Sequence, residues 1–470
     1  MNYLHLLWEL YKLKRHAAKT KEQIQALQNK KLRHLLEHAY DHSAYYRRTF
    51  EAAGIRREQL HELPLSSFPT IDKAIFMEHF DELLTVSDLK QEELRRFDEE
   101  EPIEQKLFKG KYHVVHSSGS TGKPGYYIYA DEAWNQMVVA VIRAALWNMT
   151  MPQILRKLMS GLNIVFIAAT DGRYGGAMAV GAGIEGVHGN QLFLDIKNPL
   201  KEWSERLQRF KPDMIIGYPS AIKILGELVE KEEVQLDVFR VVSCGEPLGT
   251  SLRQYMERVF AAEVVNIYGA SESLALGVET NNGEGIVLFD DINYIEVENG
   301  TMYLTSLDNF AQPLIRYRLS DQLKLKVANE KSRYPFTKAE SLVGRNEDIM
   351  WFEDGHGNRE FLHPLAIEGF CIEGLRDYQF RQIARNSFEM LAEVTDEEVQ
   401  TNVRQEMHRL MKQILQEKRL DYVLFKVRFT DVILPDSRTG KKRLVLNLTG
   451  NGRFEDEKHF DDRTGCLQVL

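Results

Sequence analysis

Nine residues between His116 and Tyr126, SSGSTGKPG, crowd hydroxyl groups, three glycines and Lys123 into one short segment flanked by strand-like runs. Such a segment can offer backbone N–H groups, hydroxyl donors and an ammonium to a polyphosphate, because small residues let an anion approach the main chain closely. It is not a Walker A loop. That motif needs GxxxxGK[ST] followed by a helix, whereas here only two residues separate Gly119 from Gly122, Pro124 follows Lys123, and the next run, YYIYA, is strand-like. A flexible hairpin tip has the same composition, so the choice rests on what else the chain carries.

Five other segments follow in one order: SCGEPL at 243–248, NIYGASES at 266–273, RYRLSDQ at 316–322, GRNEDIM at 344–350 and LPDSRTGKKR at 434–443. Together with the glycine-rich loop they resemble the adenylate-forming superfamily of acyl-CoA synthetases, peptide-synthetase adenylation domains and luciferases. The resemblance is closest to the phenylacetate-CoA ligase-like branch, whose opening helix carries a His-Ala-Tyr, here His38-Ala39-Tyr40, with Tyr45-Tyr46-Arg47 nearby. It runs over nearly the whole chain.

What the resemblance implies is a two-step reaction. A carboxylate attacks the α-phosphate of ATP to give an acyl-AMP and pyrophosphate, and a thiol or amine then takes the acyl group. Phosphoryl chemistry of this kind needs charge neutralised and groups aligned, with little covalent participation by the protein. By resemblance, Ser117, Ser118, Gly119, Ser120, Thr121, Gly122 and Lys123 would hold the β and γ phosphates. Asn266, Tyr268 and Gly269 would border the nucleotide, with Tyr268 against the adenine, and Gly245, Glu246 and Pro247 would line the adenine side. Ser271 would contact phosphate and Glu272 would bind Mg2+, for which a carboxylate supplies the hard oxygen. Asp321 would accept hydrogen bonds from the ribose hydroxyls, and Arg345 would support ribose or phosphate. Lys441 corresponds to the lysine that reaches the site during adenylation, bridging the carboxylate and the α-phosphate. Asp348 matches the hinge about which a small domain turns between the half-reactions. Each residue also has an ordinary structural reading: Glu272 capping a helix, Asp321 starting a turn, Lys441 solvated at the surface.

Two features depart from the family or distract from it. After the hinge, relatives carry a short glycine-containing turn, where this chain has MWFEDGHGNREFLHP, so coenzyme A, a carrier-protein phosphopantetheine and an amine all stay open as acceptors. A non-catalytic nucleotide-binding module is a further alternative. His34-Leu-Leu-Glu37-His38, with His42 one turn on, has the spacing of a zinc site, but it lies in the family's opening helix and reads as surface. The acyl pocket falls by resemblance between 163–176 and 217–220. There Tyr174, Tyr218 and Pro219 would form an apolar or aromatic wall, and Arg173 would meet a second polar group of the substrate, an aryl or arylacetic acid, with a fatty or amino acid as the alternative.

The elements that position these residues follow from pattern. Over 470 residues the chain is 43% apolar and 27% charged, which excludes disorder. A net charge of −9 without a basic stripe argues against a nucleic-acid partner. No run approaches the 18 or so apolar residues that a membrane span needs, and the first residues place their basic groups after the apolar part, the reverse of a signal peptide. With three scattered cysteines, Cys244, Cys371 and Cys466, this predicts a cytoplasmic chain.

Helical periodicity covers Lys21 to about Ala53 and Asp72 to Leu84, and Leu89 to Gly110 reads as an acidic loop. Between Tyr112 and Leu307, β-rich runs alternate with helix-length segments, which predicts an α/β fold. Asp354-Gly355 predicts a hairpin turn, followed by two long helical stretches and a short strand. The division expected is a large N-terminal adenylation domain over 1–347 and a small mobile α+β domain over 348–470.

Overall fold

The computed structural model describes residues 3–100, 107–117, 125–170, 173, 175–184, 189–246, 248–280, 285–298, 301–326, 333–343, 350–354, 356, 358–362, 366–367, 370, 372–433 and 444–448. The chain opens on α1 (Tyr3–His16), α2 (Lys21–His42) and α3 (Ala44–Ala52). Thr20 starts α2 with a capping box, its hydroxyl accepting from the Gln23 N–H at 3.3 Å while the Gln23 side chain accepts from the Thr20 N–H at 3.0 Å. The single helix expected over 21–53 is broken at Ser43. That residue donates its N–H to the Ala39 carbonyl, closing α2, and accepts from the Tyr46 N–H, opening α3. Asp72 caps α4 (Lys73–Glu78), and His79 separates it from α5 (Phe80–Leu83).

The acidic stretch that reads as a loop is instead a helix, α6 (Gln91–Glu100). Its two apolar residues, Leu94 and Phe97, are both buried, and Glu92 pairs with Arg95 and Arg96 one turn on. Two anchors at i, i+3 are enough to fix a face that the charge density obscures.

The hairpin β1 (Tyr112–His116) and β2 (Tyr126–Ala130) pairs antiparallel, with His116 opposite Tyr126. After α7 (Asp131–Ala145) and α8 (Met151–Met159) comes the main sheet. Its parallel half is built from β3 (Leu162–Ala168), α9 (Gly175–Ile184), β4 (Gly189–Asp195), α10 (Leu200–Arg209), β5 (Met214–Gly217), α11 (Pro219–Glu230), β6 (Arg240–Cys244), α12 (Thr250–Phe260) and β7 (Glu263–Ala270). The antiparallel half adds β8 (Ser273–Glu279), β9 (Ile286–Leu288), β10 (Asn293–Glu298), β11 (Thr301–Ser306), β12 (Tyr317–Leu325) and β13 (Lys338–Val343). Across the sheet the order is β10-β11-β12-β13-β9-β8-β7-β6-β5-β3-β4. Strands covered on both faces by crossover helices read as continuous apolar runs, as NIVFIAA and MIIG do.

Asp290, between β9 and β10, accepts from the Thr337 N–H at 2.6 Å. Burial outweighs that bond and pushes its carboxyl from an ordinary 3.8 up to about 6. The folded chain therefore holds a proton that the unfolded chain releases, so stability falls as pH rises between about 4 and about 6. Asp290→Asn keeps an acceptor for Thr337 and is expected to flatten that part of the urea-midpoint profile. A variant profile parallel to that of the parent chain contradicts the assignment.

Beyond the main sheet lie the hairpin β14 (Met350–Glu353) and β15 (Arg359–Leu362), then β16 (Leu375–Ala384), β17 (Ser387–Val394), α13 (Gln400–Glu417), β18 (Leu424–Phe429) and β19 (Val445–Asn447). The last four strands form a sheet in the order β18-β17-β16-β19. One of the two helical stretches expected here is the β16–β17 hairpin. The residues it gives to the core of this sheet, Tyr378 and Phe380, then Phe388, Met390 and Ala392, recur at a spacing of two. The other is α13, whose stripe Val403, Met407, Met411 and Leu415 is buried.

The β14–β15 hairpin has two apolar faces. Met350, Phe352 and Leu362 join the core of the four-stranded sheet, while Phe361, with Trp351 against it, joins the core beneath α10 and α11. Lys418, fully buried at the end of α13, clamps this junction. Its ammonium donates to the Ile196 and Asn198 carbonyls at 2.8 Å, pairs with Glu360 at 3.0 Å and lies 4.0 Å from the Phe361 ring centroid. Lys418→Met would take the ammonium away from two carbonyls and from the half-buried Glu360 carboxylate, which would keep only the Leu200 and Phe361 N–H groups as donors. It is expected to cost about 3 kcal/mol, seen as an earlier melting transition; unchanged melting contradicts the clamp.

Candidate active site

The neck of the glycine-rich loop is closed by paired hydrogen bonds. The Ser117 N–H donates to the Gly125 carbonyl and the Gly125 N–H donates to Ser117 Oγ, both at 2.9 Å. A side chain on Gly125 would crowd the Tyr127 hydroxyl at 3.3 Å. The residues between, Ser118, Gly119, Ser120, Thr121, Gly122 and Lys123, lie outside the described residues, as do Tyr174, Pro247, Arg345, Asp348 and Lys441.

Facing this neck is the tight turn between β7 and β8 that carries Ser271 and Glu272. Gly269 makes the turn possible, since a Cβ there would lie 2.2 Å from the Leu274 carbonyl oxygen. Ser271 Oγ lies 3.5 Å from the His116 carbonyl, at the end of β1, and the Tyr129 hydroxyl donates to the Ser271 carbonyl at 2.9 Å. Glu272 Oε1 accepts from the Tyr127 hydroxyl at 2.7 Å. Glu272 is therefore not the helix cap that its residue type also allows. Burial pushes its carboxyl up, and the bond from Tyr127 draws it back part of the way.

The third part of the site is β12. The Tyr268 hydroxyl donates to Asp321 Oδ2 at 3.1 Å, joining two residues that are 53 positions apart. Tyr268 is buried, and burial, followed by the neighbouring Asp321 charge, keeps its hydroxyl protonated. Asn266 is also buried; its amide donates to Glu279 at 3.1 Å, leaving Oδ1 without a hydrogen-bond partner among the described residues.

Gly245, Glu246, Tyr218 and Pro219 come together at the mouths of β5 and β6. Gly245 has φ +81°, and a side chain there would strike the Tyr218 ring at 2.6 Å. Glu246 accepts from the Ser220 N–H at 3.1 Å and its hydroxyl at 2.9 Å. Its carboxylate thus serves the N-terminus of α11, where an acid is favoured, and Pro219 sits at the first turn of that helix.

Arg173, expected by resemblance to meet the substrate, is buried instead, 4.0 Å over the Phe97 ring and 3.6 Å from Asp98. Asp98 also pairs with His116 at 3.2 Å. Sequence reasoning misses Asp98 because α6 reads as a loop; the Leu94/Phe97 spacing is the available signal. It also misses Tyr127 and Tyr317, whose hydroxyls lie 3.1 Å apart beside Glu272.

Among the described residues, no group of three or more His, Cys, Asp or Glu is arranged to hold a metal ion. In the HxxEH segment, Glu37 pairs with His61 at 2.8 Å, and His38 packs against His42 and Phe310. No helix among the described residues is long and apolar enough to cross a membrane.

Residues 27–291 match the family described as AMP-binding enzyme. The chain is 27% identical over 360 residues to the phenylacetate-coenzyme A ligase of Escherichia coli, covering 70% of this chain and 72% of the relative. It is 23% identical over 466 residues to the phenylacetate-coenzyme A ligase of Thermus thermophilus, covering 91% and 97%. In fold it is similar to a crystal structure of 2-hydroxyisobutyryl-CoA ligase in complex with 2-HIB-AMP and CoA, with TM-score 0.58, 19% identity and coverage of 92% and 91%. The family match takes in the glycine-rich loop, β7 and the Ser271–Glu272 turn and spans more than half of the sequence, so the chain belongs to the AMP-binding enzyme family.

Proposed function

We propose that this chain is an ATP-dependent, AMP-forming ligase that joins an aromatic carboxylic acid to the thiol of coenzyme A. The observation that carries the reading is the convergence of three sites: the loop neck at Ser117 and Gly125, the Ser271–Glu272 turn, and the Tyr268–Asp321 pair. In the first step the acid's carboxylate oxygen attacks the α-phosphorus of ATP, forming the acyl-AMP and releasing pyrophosphate. In the second the coenzyme A thiol attacks the acyl carbon, the thioester forms, and AMP leaves.

Within this reading the loop residues Ser117–Lys123 hold the β and γ phosphates, and Asp321, backed by the Tyr268 hydroxyl, receives the ribose hydroxyls. Gly245, Glu246 and Pro247 shape the adenine side, and Tyr218 and Pro219 border the acyl group. Glu272 fits the ligand that Mg2+ requires, since the ion is ordinarily held by one or two carboxylates together with substrate phosphates, and the turn sets one oxygen-donor side chain against the loop neck. Bound there, Mg2+ would supply positive charge to the phosphates. Lys441 and Arg345 complete the charge around the α-phosphate and ribose, and rotation at Asp348 of the small domain over 348–470 would exchange the two half-reactions. The site of action is the cytoplasm; Cys244 is a free thiol that burial pushes up to about 12.

Incubation with ATP, Mg2+, coenzyme A and a panel of aryl and arylacetic acids, read by mass spectrometry, is expected to yield an acyl-CoA and AMP. An amide formed only with an added amine would replace the thiol acceptor. No AMP with any acid would overturn the ligase reading.

A further inference from the structure

We infer that Tyr127 and Tyr317 are positioning residues for Glu272, forming a hydrogen-bond relay around its carboxylate that orients it toward Mg2+. The inference rests on the proposed role of Glu272 as the metal-binding acid. The donor to Glu272 follows from counting protons. An ionised carboxylate only accepts, so the single proton of the Tyr127 hydroxyl is committed to Glu272 Oε1 at 2.7 Å. The Tyr317 hydroxyl lies 3.1 Å from that of Tyr127 and within hydrogen-bond reach of the Glu272 carboxylate as well, so its proton can serve either acceptor. Three mutually bonded polar groups polarise one another, which strengthens the bonds to the carboxylate.

The surroundings fix the relay in place. Tyr127 is 1% exposed and Tyr317 2%, so bulk water does not compete for their hydroxyls. Phe76 stacks on the Tyr127 ring at 5.2 Å and meets the Tyr317 ring edge-on at 5.8 Å. Tyr127 lies on β2, immediately after the glycine-rich loop, and Tyr317 on β12, four residues before Asp321. Two hydroxyls therefore tie together the loop that would take the phosphates, the turn that would take the metal and the strand that would take the ribose. Groups that hold a metal-binding carboxylate in this way typically change metal affinity by about 10–100-fold when removed.

The test is calorimetric binding of ATP to the full chain with and without Mg2+, for the parent protein, Tyr127→Phe, Tyr317→Phe and the double variant, with melting temperature followed in parallel. The parent is expected to bind ATP more tightly with Mg2+. Tyr127→Phe should reduce that gain about tenfold while leaving metal-free binding unchanged. Tyr317→Phe should reduce it as well, and the double variant should lose the most, because both hydroxyls face the Glu272 carboxylate. A Mg2+-dependent gain equal in the parent and both single variants overturns the relay, even if their melting temperatures drop. Should Tyr127→Phe fail to fold, Tyr317→Phe still decides: a gain equal to the parent's contradicts the relay. A parent with no Mg2+-dependent gain, or a gain untouched by Glu272→Gln, overturns the metal role of Glu272 instead.

Discussion

Replacing Lys441 with alanine is expected to slow acyl-adenylate formation by about two to three orders of magnitude, with ATP affinity nearly intact. In the proposed reaction negative charge builds on the α-phosphate as the acid's oxygen closes on it, and an ammonium at that point is worth most in the transition state. Removing a group that acts there lowers kcat without loosening the ground-state complex. The phosphate loop, Glu272 and Asp321 would remain to hold ATP. The measurement is single-turnover formation of acyl-AMP beside equilibrium binding of ATP. Its sharpest control is the second half-reaction: thioester formation from supplied acyl-AMP should be far less affected, because the α-phosphate charge is then already settled. Adenylation at the parent rate would remove Lys441 from the mechanism, and equal loss in both half-reactions would mark it as structural.

Glu272→Gln should lower Mg2+-dependent adenylation by about 100-fold while leaving the fold as stable as before or more so. The two halves of this expectation pull in opposite directions, which is what makes it informative. Burial of Glu272 opposes its charge, and an amide oxygen can still accept from Tyr127, so the substitution removes a desolvation cost. A residue kept only for structure would then be improved by glutamine with no effect on turnover. A residue kept for a divalent cation would lose its negative charge, which the amide cannot replace. Full activity in the variant contradicts the metal role; a large drop in melting temperature would trace the loss of activity to folding.

Much of this organisation is legible in the sequence because it depends on local chemistry. The parallel strands announce themselves as apolar runs, the hairpin at Asp354 is a turn motif closed by its own side chain, which accepts from the His356 and Asn358 N–H groups at 2.8 Å, and the six ordered segments carry the family resemblance. What stays hidden depends on distant partners. Glu272 and Tyr127 are 145 positions apart, and Tyr127 and Tyr317 190, so nothing near the YGASE segment shows what surrounds its glutamate. Arg173 reads as an available cation until Asp98, on a helix disguised by its own acidity, is seen 3.6 Å away. Glu246 sits in a motif suited to nucleotide binding, yet its carboxylate caps α11 through Ser220. The β16–β17 hairpin reads as a helix because its length suits either, and the period-two spacing of its core residues is what separates them.

That this chain activates a carboxylic acid as its adenylate is tested most directly by acid-dependent exchange of labelled pyrophosphate into ATP, because exchange requires the first half-reaction to run in both directions and needs no acceptor. With Mg2+ and a panel of aryl, arylacetic, fatty and amino acids, exchange is expected to depend on an aromatic acid and to collapse in Lys441→Ala. Silence across the whole panel, with ATP binding demonstrated in the same preparation, would contradict adenylation and leave a nucleotide-binding protein without ligase activity.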